Sequence, residues 1–69
     1  MAVPAPSPEE ELPYRIELWH AGRDEVERVL ARAVGAELAQ AIFKAVLGEY
    51  PQRRITLRKG SATISDSAG

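Results

Sequence analysis

The chain has 69 residues, 45% of them hydrophobic and 28% charged, so it holds one small globular domain and is too apolar to be wholly disordered. Nine Lys and Arg against ten Asp and Glu give a net charge of −1, which points to neither nucleic acid nor an acidic membrane. With no cysteine and a single histidine, His20, the chain cannot build a disulfide scaffold, a zinc site, an iron–sulfur cluster or a thiol nucleophile.

The start, Met1 to Pro6, lacks the basic and apolar regions of a leader, and no later run is long enough to span a bilayer. A soluble, cytoplasmic protein without a membrane partner is expected. Residues 1–13 stand apart by composition, with Pro4, Pro6, Pro8 and Pro13 around Glu9-Glu10-Glu11. Proline fixes φ and removes a donor, and three adjacent carboxylates repel, so this stretch reads as a disordered tail. Setting the three glutamates aside leaves nine basic and seven acidic residues, a core charge of +2.

Tyr14 to His20 alternates in the manner of a strand, with Tyr14, Ile16 and Leu18 on one face and Arg15, Glu17 and Trp19 on the other. Ala21-Gly22-Arg23-Asp24 then supplies turn chemistry. The stretch from 24 to 49 has two readings. Asp24-Glu25-Val26-Glu27 has the form of a capping box, and local propensity favours one helix over 25–48. Such a helix would be about 36 Å long, against about 23 Å for a seven-residue strand. It would overhang its own sheet. Division at Gly35 matches the lengths: residues 25–33 become a second strand in a hairpin with the first, and 36–48 a helix. Leu38, Ile42, Ala45 and Val46 would form that helix's apolar face, widened by Ala39, Ala41 and Phe43. A continuous helix would make Gly35→Ala stabilising, whereas a Gly35 cap at positive φ would make it destabilising.

The last segment reads as a second hairpin about Lys59-Gly60, with Leu57 facing Ala62 and Ile55 facing Ile64. Residues 67–69 are expected to fray. The expected fold is therefore α+β, strand–strand–helix–strand–strand, over residues 14–66. An antiparallel sheet carries one helix on one face; the alternative is strand–long helix–hairpin.

The strings Ile16-Glu17-Leu18-Trp19, Val29-Leu30-Ala31-Arg32-Ala33, Leu38-Ala39 through Phe43, Pro51 and Arg54-Ile55-Thr56-Leu57-Arg58 with Gly60 resemble a group of small uncharacterised proteobacterial proteins. Those have the form E-L-W, a turn, V-L-A-R-A, a helix, then P-x-R-R-I-T-L-R-x-G. The resemblance covers about residues 14–65. It implies a strand–strand–helix–strand–strand unit and no activity.

Catalytic residues are not expected. Every Asp and Glu outside the tail has an ordinary place on a strand face, turn or helix surface, and no serine has a base positioned by spacing. Gly22, Gly35, Gly48 and Gly60 are spread singly, so no phosphate-cradling loop forms. No cofactor or metal is expected. Two surfaces remain. If the helix covers Ile16, Leu18, Ile55, Leu57 and Ile64, then Trp19 lies on the open sheet face. Placing His20 opposite Glu25 sets Val26 and Leu30 beside it and Arg28 across from Glu17. Trp19, Val26 and Leu30 would then form an interaction patch, and the chain is read as a non-enzymatic homodimer or binder of another protein. The alternative is a nucleic-acid-binding module contacting phosphates through Arg53, Arg54, Arg58 and Lys59.

Overall fold

The computed structural model describes residues 11–68. Residues 1–10, most of the expected tail, and Gly69 lie outside the described residues. The chain folds as the α+β unit of the divided reading: β1 (Tyr14–Trp19), β2 (Val26–Ala33), α1 (Ala36–Glu49), β3 (Ile55–Lys59) and β4 (Ala62–Asp66). All neighbouring strands are antiparallel, in the order β2-β1-β3-β4, so β1 and β3 join the two hairpins at the centre. Among the described residues, no helix is long and apolar enough to cross a membrane.

The core lies between α1 and one face of the sheet. Ile16 pairs with Leu57 and Leu18 with Ile55, and all four side chains are buried. Ala33 from β2 and Ala39, Phe43 and Val46 from α1 complete the cluster, flanked by Tyr14, Leu30, Ala31, Ile42, Leu47 and Tyr50. The buried stripe of the helix is thus centred on Ala39, Phe43 and Val46. Leu38, Ala41 and Ala45, expected on the apolar face, are exposed. Three- and four-residue spacing allows either stripe, and the phenyl ring of Phe43 gains more from burial than small Ala41 and Ala45 would.

The chain divides at Gly35, which is the N-cap of α1 with φ −136 and ψ 162. This is extended backbone, so neither a continuous helix nor a positive-φ cap is present. The capping-box residues Asp24 and Glu27 cap nothing; Asp24 lies in the turn and Glu27 in β2. The helix also runs through Gly48 to Glu49 instead of stopping at the glycine, and the Tyr50 N–H closes it on the Val46 carbonyl. Gly35 gives the first helical N–H groups no side-chain acceptor, and a Cβ at this position would meet nothing within 4 Å. Gly35→Ser should therefore stabilise by about 0.5–1 kcal/mol, adding a hydroxyl acceptor and narrowing the unfolded ensemble. Thermal unfolding by circular dichroism should show the gain as an increase in Tm.

Both hairpins depart from simple register. In the first, the His20 N–H donates to the Glu25 carbonyl (2.8 Å) and Trp19 pairs with Val26, as expected. Two irregularities then intervene: Leu18 faces Arg28, Glu17 faces Val29 and Ile16 faces Ala31, leaving Glu27 and Leu30 as the extra residues. Glu17 is therefore not across from Arg28. Leu30 does not join the open face either, because it packs against the core with Ala31. Strict alternation would have set Leu30 among polar residues on the open face; the bulge buries it and turns the smaller Val29 outward.

In the second hairpin the loop is Gly60-Ser61, with Lys59 opposite Ala62 and Arg58 opposite Thr63. Gly60 has φ +58, and among the described residues no non-glycine has positive φ. Glycine at the first loop position with an ordinary residue after it is the arrangement a type II′ turn requires. Placing Lys59 in the loop would cost that match. A second shift sets Leu57 opposite Ser65 and Thr56 opposite Asp66, so Ile64 does not face Ile55 and remains 45% exposed. Ser67 and Ala68, expected as a frayed end, are tied back. Ile55 donates its N–H to Ser67 Oγ (2.8 Å) and accepts from the Ser67 N–H (2.9 Å), while the Ala68 N–H donates to Asp66 Oδ1.

Candidate interaction face

The sheet face opposite α1 has no covering layer of secondary structure among the described residues. The pairing lays its side chains out in rows across the strands. Arg15 of β1 is flanked by Arg32 of β2 and Arg58 of β3; Glu17 by Val29 and Thr56; Trp19 by Val26. Although this face is open, Glu17 is only 4% exposed and Thr56 1%. Arg15, Arg58 and Trp19 reach into this middle row, and long side chains of this kind cover apolar and polar neighbours with their stems.

A chain of polar contacts runs through that middle row. The Trp19 indole Nε1–H donates to Thr56 Oγ1 (2.9 Å), and the Thr56 hydroxyl donates to Glu17 Oε1 (2.9 Å). Arg15 Nε–H donates to Glu17 Oε2 (2.8 Å), and an Arg58 terminal nitrogen stands 3.7 Å from Oε1. One buried carboxylate thereby offsets two guanidinium groups that face each other across adjacent strands. Charge-assisted bonds of this kind are worth more where water is excluded than at an exposed site.

Trp19 is half-buried and held on two sides. Arg54 lies over its ring with the guanidinium carbon 4.0 Å from the centroid, a cation–π contact. Arg54 is itself fixed by a bidentate pair with Asp66 (2.7 and 3.2 Å) and reaches Asp24 at 3.5 Å. The hydrogen bond from Arg54 holds the Asp66 carboxyl below the usual carboxylate range, assisted by the Ala68 N–H, and Asp66 in turn raises the Arg54 guanidinium. The β3–β4 register shift creates this pair by moving Asp66 opposite Thr56, next to Arg54.

Of the expected patch, the structure brings Trp19 and Val26 together and takes Leu30 away; Val29, 40% exposed and opposite Glu17, stands in its place. Of the expected phosphate-binding cluster, three members are engaged inside the molecule. Arg53 donates to the Trp19 carbonyl (2.6 Å) and to Glu27 (3.1 Å), Arg54 is paired with Asp66, and Arg58 reaches the Ser61 carbonyl (3.4 Å) and Glu17. Lys59 has no carboxylate partner among the described residues; its ammonium stands 5.3 Å from the Tyr14 ring centroid. Nothing in the sequence marks Thr56 and Asp66 as partners of this face, and it pairs Glu17 with Arg28 instead. The alternation of β1 places Glu17 on the face of Trp19, but Thr56 and Asp66 reach it only through strand pairings distant in sequence.

His20 serves its turn, its Nδ1 accepting the Gly22 N–H (3.0 Å). Among the described residues there is no group of three or more side chains able to hold a metal ion. No family model, no curated protein and no solved structure matches this chain.

Proposed function

We propose that this protein is a small, cytoplasmic, non-enzymatic interaction module that pairs with a second copy of itself through the β1–β2 side of its helix-free face, around Trp19, Val26 and Val29. The carrying observation is the state of Trp19. Among the described residues it lies on a face without a covering layer, is held by Thr56 and Arg54, and has Val26 directly across the strand pair. A rigid aromatic beside aliphatic neighbours is the usual anchor of an interface, because little side-chain entropy is lost on binding. A shortage of core supports self-association. A domain of this size gains only about 3–5 kcal/mol from one core, and with no cysteine a disulfide cannot add to it. Two-fold pairing is the commonest way to cover such a patch.

The nucleic-acid reading has less behind it. A phosphate contact by Arg53, Arg54 or Arg58 would compete with a bond already made within the molecule. The two readings respond oppositely to salt: phosphate binding would fall steeply, whereas a Trp- and Val-centred contact would hardly change. Light scattering between micromolar and high micromolar concentration should show a dimer, and Tm should rise with concentration. Val29→Asp should give a monomer with an unchanged far-ultraviolet spectrum. A wild-type monomer throughout that range overturns the reading.

A further inference from the structure

We infer that the groove beside the β3–β4 turn is a binding site for a small organic molecule that carries a carboxylate. Among the described residues its walls are Pro13, Arg15, Lys59, Gly60, Ser61 and Ala62, around a space of about 440 Å³. That volume falls within the range of small-molecule sites. Arg15 and Lys59 are cationic and none of these wall residues is acidic, so the groove favours an anion. Its place follows from the strand pairing. Tyr14 faces Lys59 and Arg15 faces Arg58, which sets the start of β1 beside the turn.

Both cations are positioned by neighbours within the molecule. Arg15 commits its Nε–H to Glu17 Oε2 (2.8 Å), and its two terminal nitrogens make no bond among the described residues. Those nitrogens are the end of a planar fork, which holds a carboxylate through two parallel hydrogen bonds. Lys59 is exposed, with its ammonium 5.3 Å from the Tyr14 ring centroid. The turn adds neutral donors, because the Gly60 and Ser61 N–H groups have no acceptor among the described residues. A Cβ at Gly60 would meet nothing within 4 Å, so a ligand can approach this backbone closely. Pro13, Ala62 and the stems of Arg15 and Lys59 supply apolar contact for the body of the ligand. The site lies where β1 begins, whereas Trp19 is the last residue of that strand, so it stands or falls independently of self-association.

The test is the full chain titrated with sodium benzoate at low salt and followed by two-dimensional NMR. Benzamide, uncharged and of the same shape, and inorganic phosphate, an anion without an apolar body, are the comparison arms. Benzoate should shift the Gly60, Ser61 and Ala62 amides and the Arg15 Nε–H saturably, while the Trp19 and Val26 amides stay in place. Lys59→Gln should weaken binding at least about ten-fold, as the loss of one charge-assisted contact does. Lys44→Gln, which removes an exposed cation of α1, should leave the affinity at its wild-type value. Absence of a saturable shift at high millimolar benzoate overturns the inference. So do equal shifts with benzamide, tighter binding of phosphate, or equal weakening by Lys59→Gln and Lys44→Gln.

Discussion

Glu17→Ala should destabilise the fold by about 3 kcal/mol, more than any other change on the helix-free face. Removing one partner of a buried ionic group costs about 3–5 kcal/mol when the remaining charge stays buried. Here the cost sits at the low end, because Arg15 and Arg58 keep 18% and 26% of their side-chain surface and regain some water. Thr56 is almost fully buried and loses its acceptor outright. Thr56→Val separates the parts of the network. It preserves shape and leaves the Arg15–Glu17 bond intact, but strands the Trp19 indole N–H and one Glu17 oxygen, at about 1–3 kcal/mol. Urea unfolding followed by Trp19 fluorescence reads both. Glu17→Ala should lower the midpoint most, while Thr56→Val should change the emission of the folded state as well. A midpoint for Glu17→Ala within error of wild type would mean that the carboxylate organises nothing.

Leu57→Ala should leave the chain largely unfolded at 25 °C. Leu57 is fully buried and pairs with Ile16 at the centre of the sheet, beneath α1. Truncating such a leucine costs about 2–5 kcal/mol, the lost transfer energy plus the cavity left behind. A core of this size supplies about 3–5 kcal/mol in total, so one side chain carries most of the margin. Loss of the cooperative thermal transition is the expected result. Leu57→Met, close in volume, should cost less than about 1.5 kcal/mol and retain it. Equal losses in the two variants would show that volume at this position is not what holds the sheet to the helix.

Much of the architecture is legible in the residues themselves. The alternation of Tyr14 to Trp19 assigns each β1 side chain to a face, and Ile16 and Leu18 do reach the core while Glu17 and Trp19 do not. Gly35 marks the division of a stretch whose local propensity is helical throughout, and the length of a sheet is what makes that division visible. The candidate site is legible only in part. Trp19 and Val26 stand out as neighbours, whereas Leu30 is lost to the core, and Glu17 is misread as an ordinary strand-face residue because, apart from Arg15 two residues away, its partners Thr56 and Arg58 come from β3, distant in sequence.

The sequence by itself determines β1, the helix after Gly35 and the last two strands, and their order, but leaves residues 25–33 between strand and helix. Those properties depend on periodicity, glycine and proline over a few adjacent residues. Tertiary structure alone decides the strand order, the bulges after Ile16, Leu18 and Leu57, and with them which side chains meet. Each bulge settles a competition between distant residues. Leu30 displaces Val29 from the core, and the β3–β4 shift sets Asp66 opposite Thr56, where it pairs with the Arg54 that lies over Trp19. Such outcomes depend on the free energy of the whole packed arrangement, which no short stretch of the chain contains.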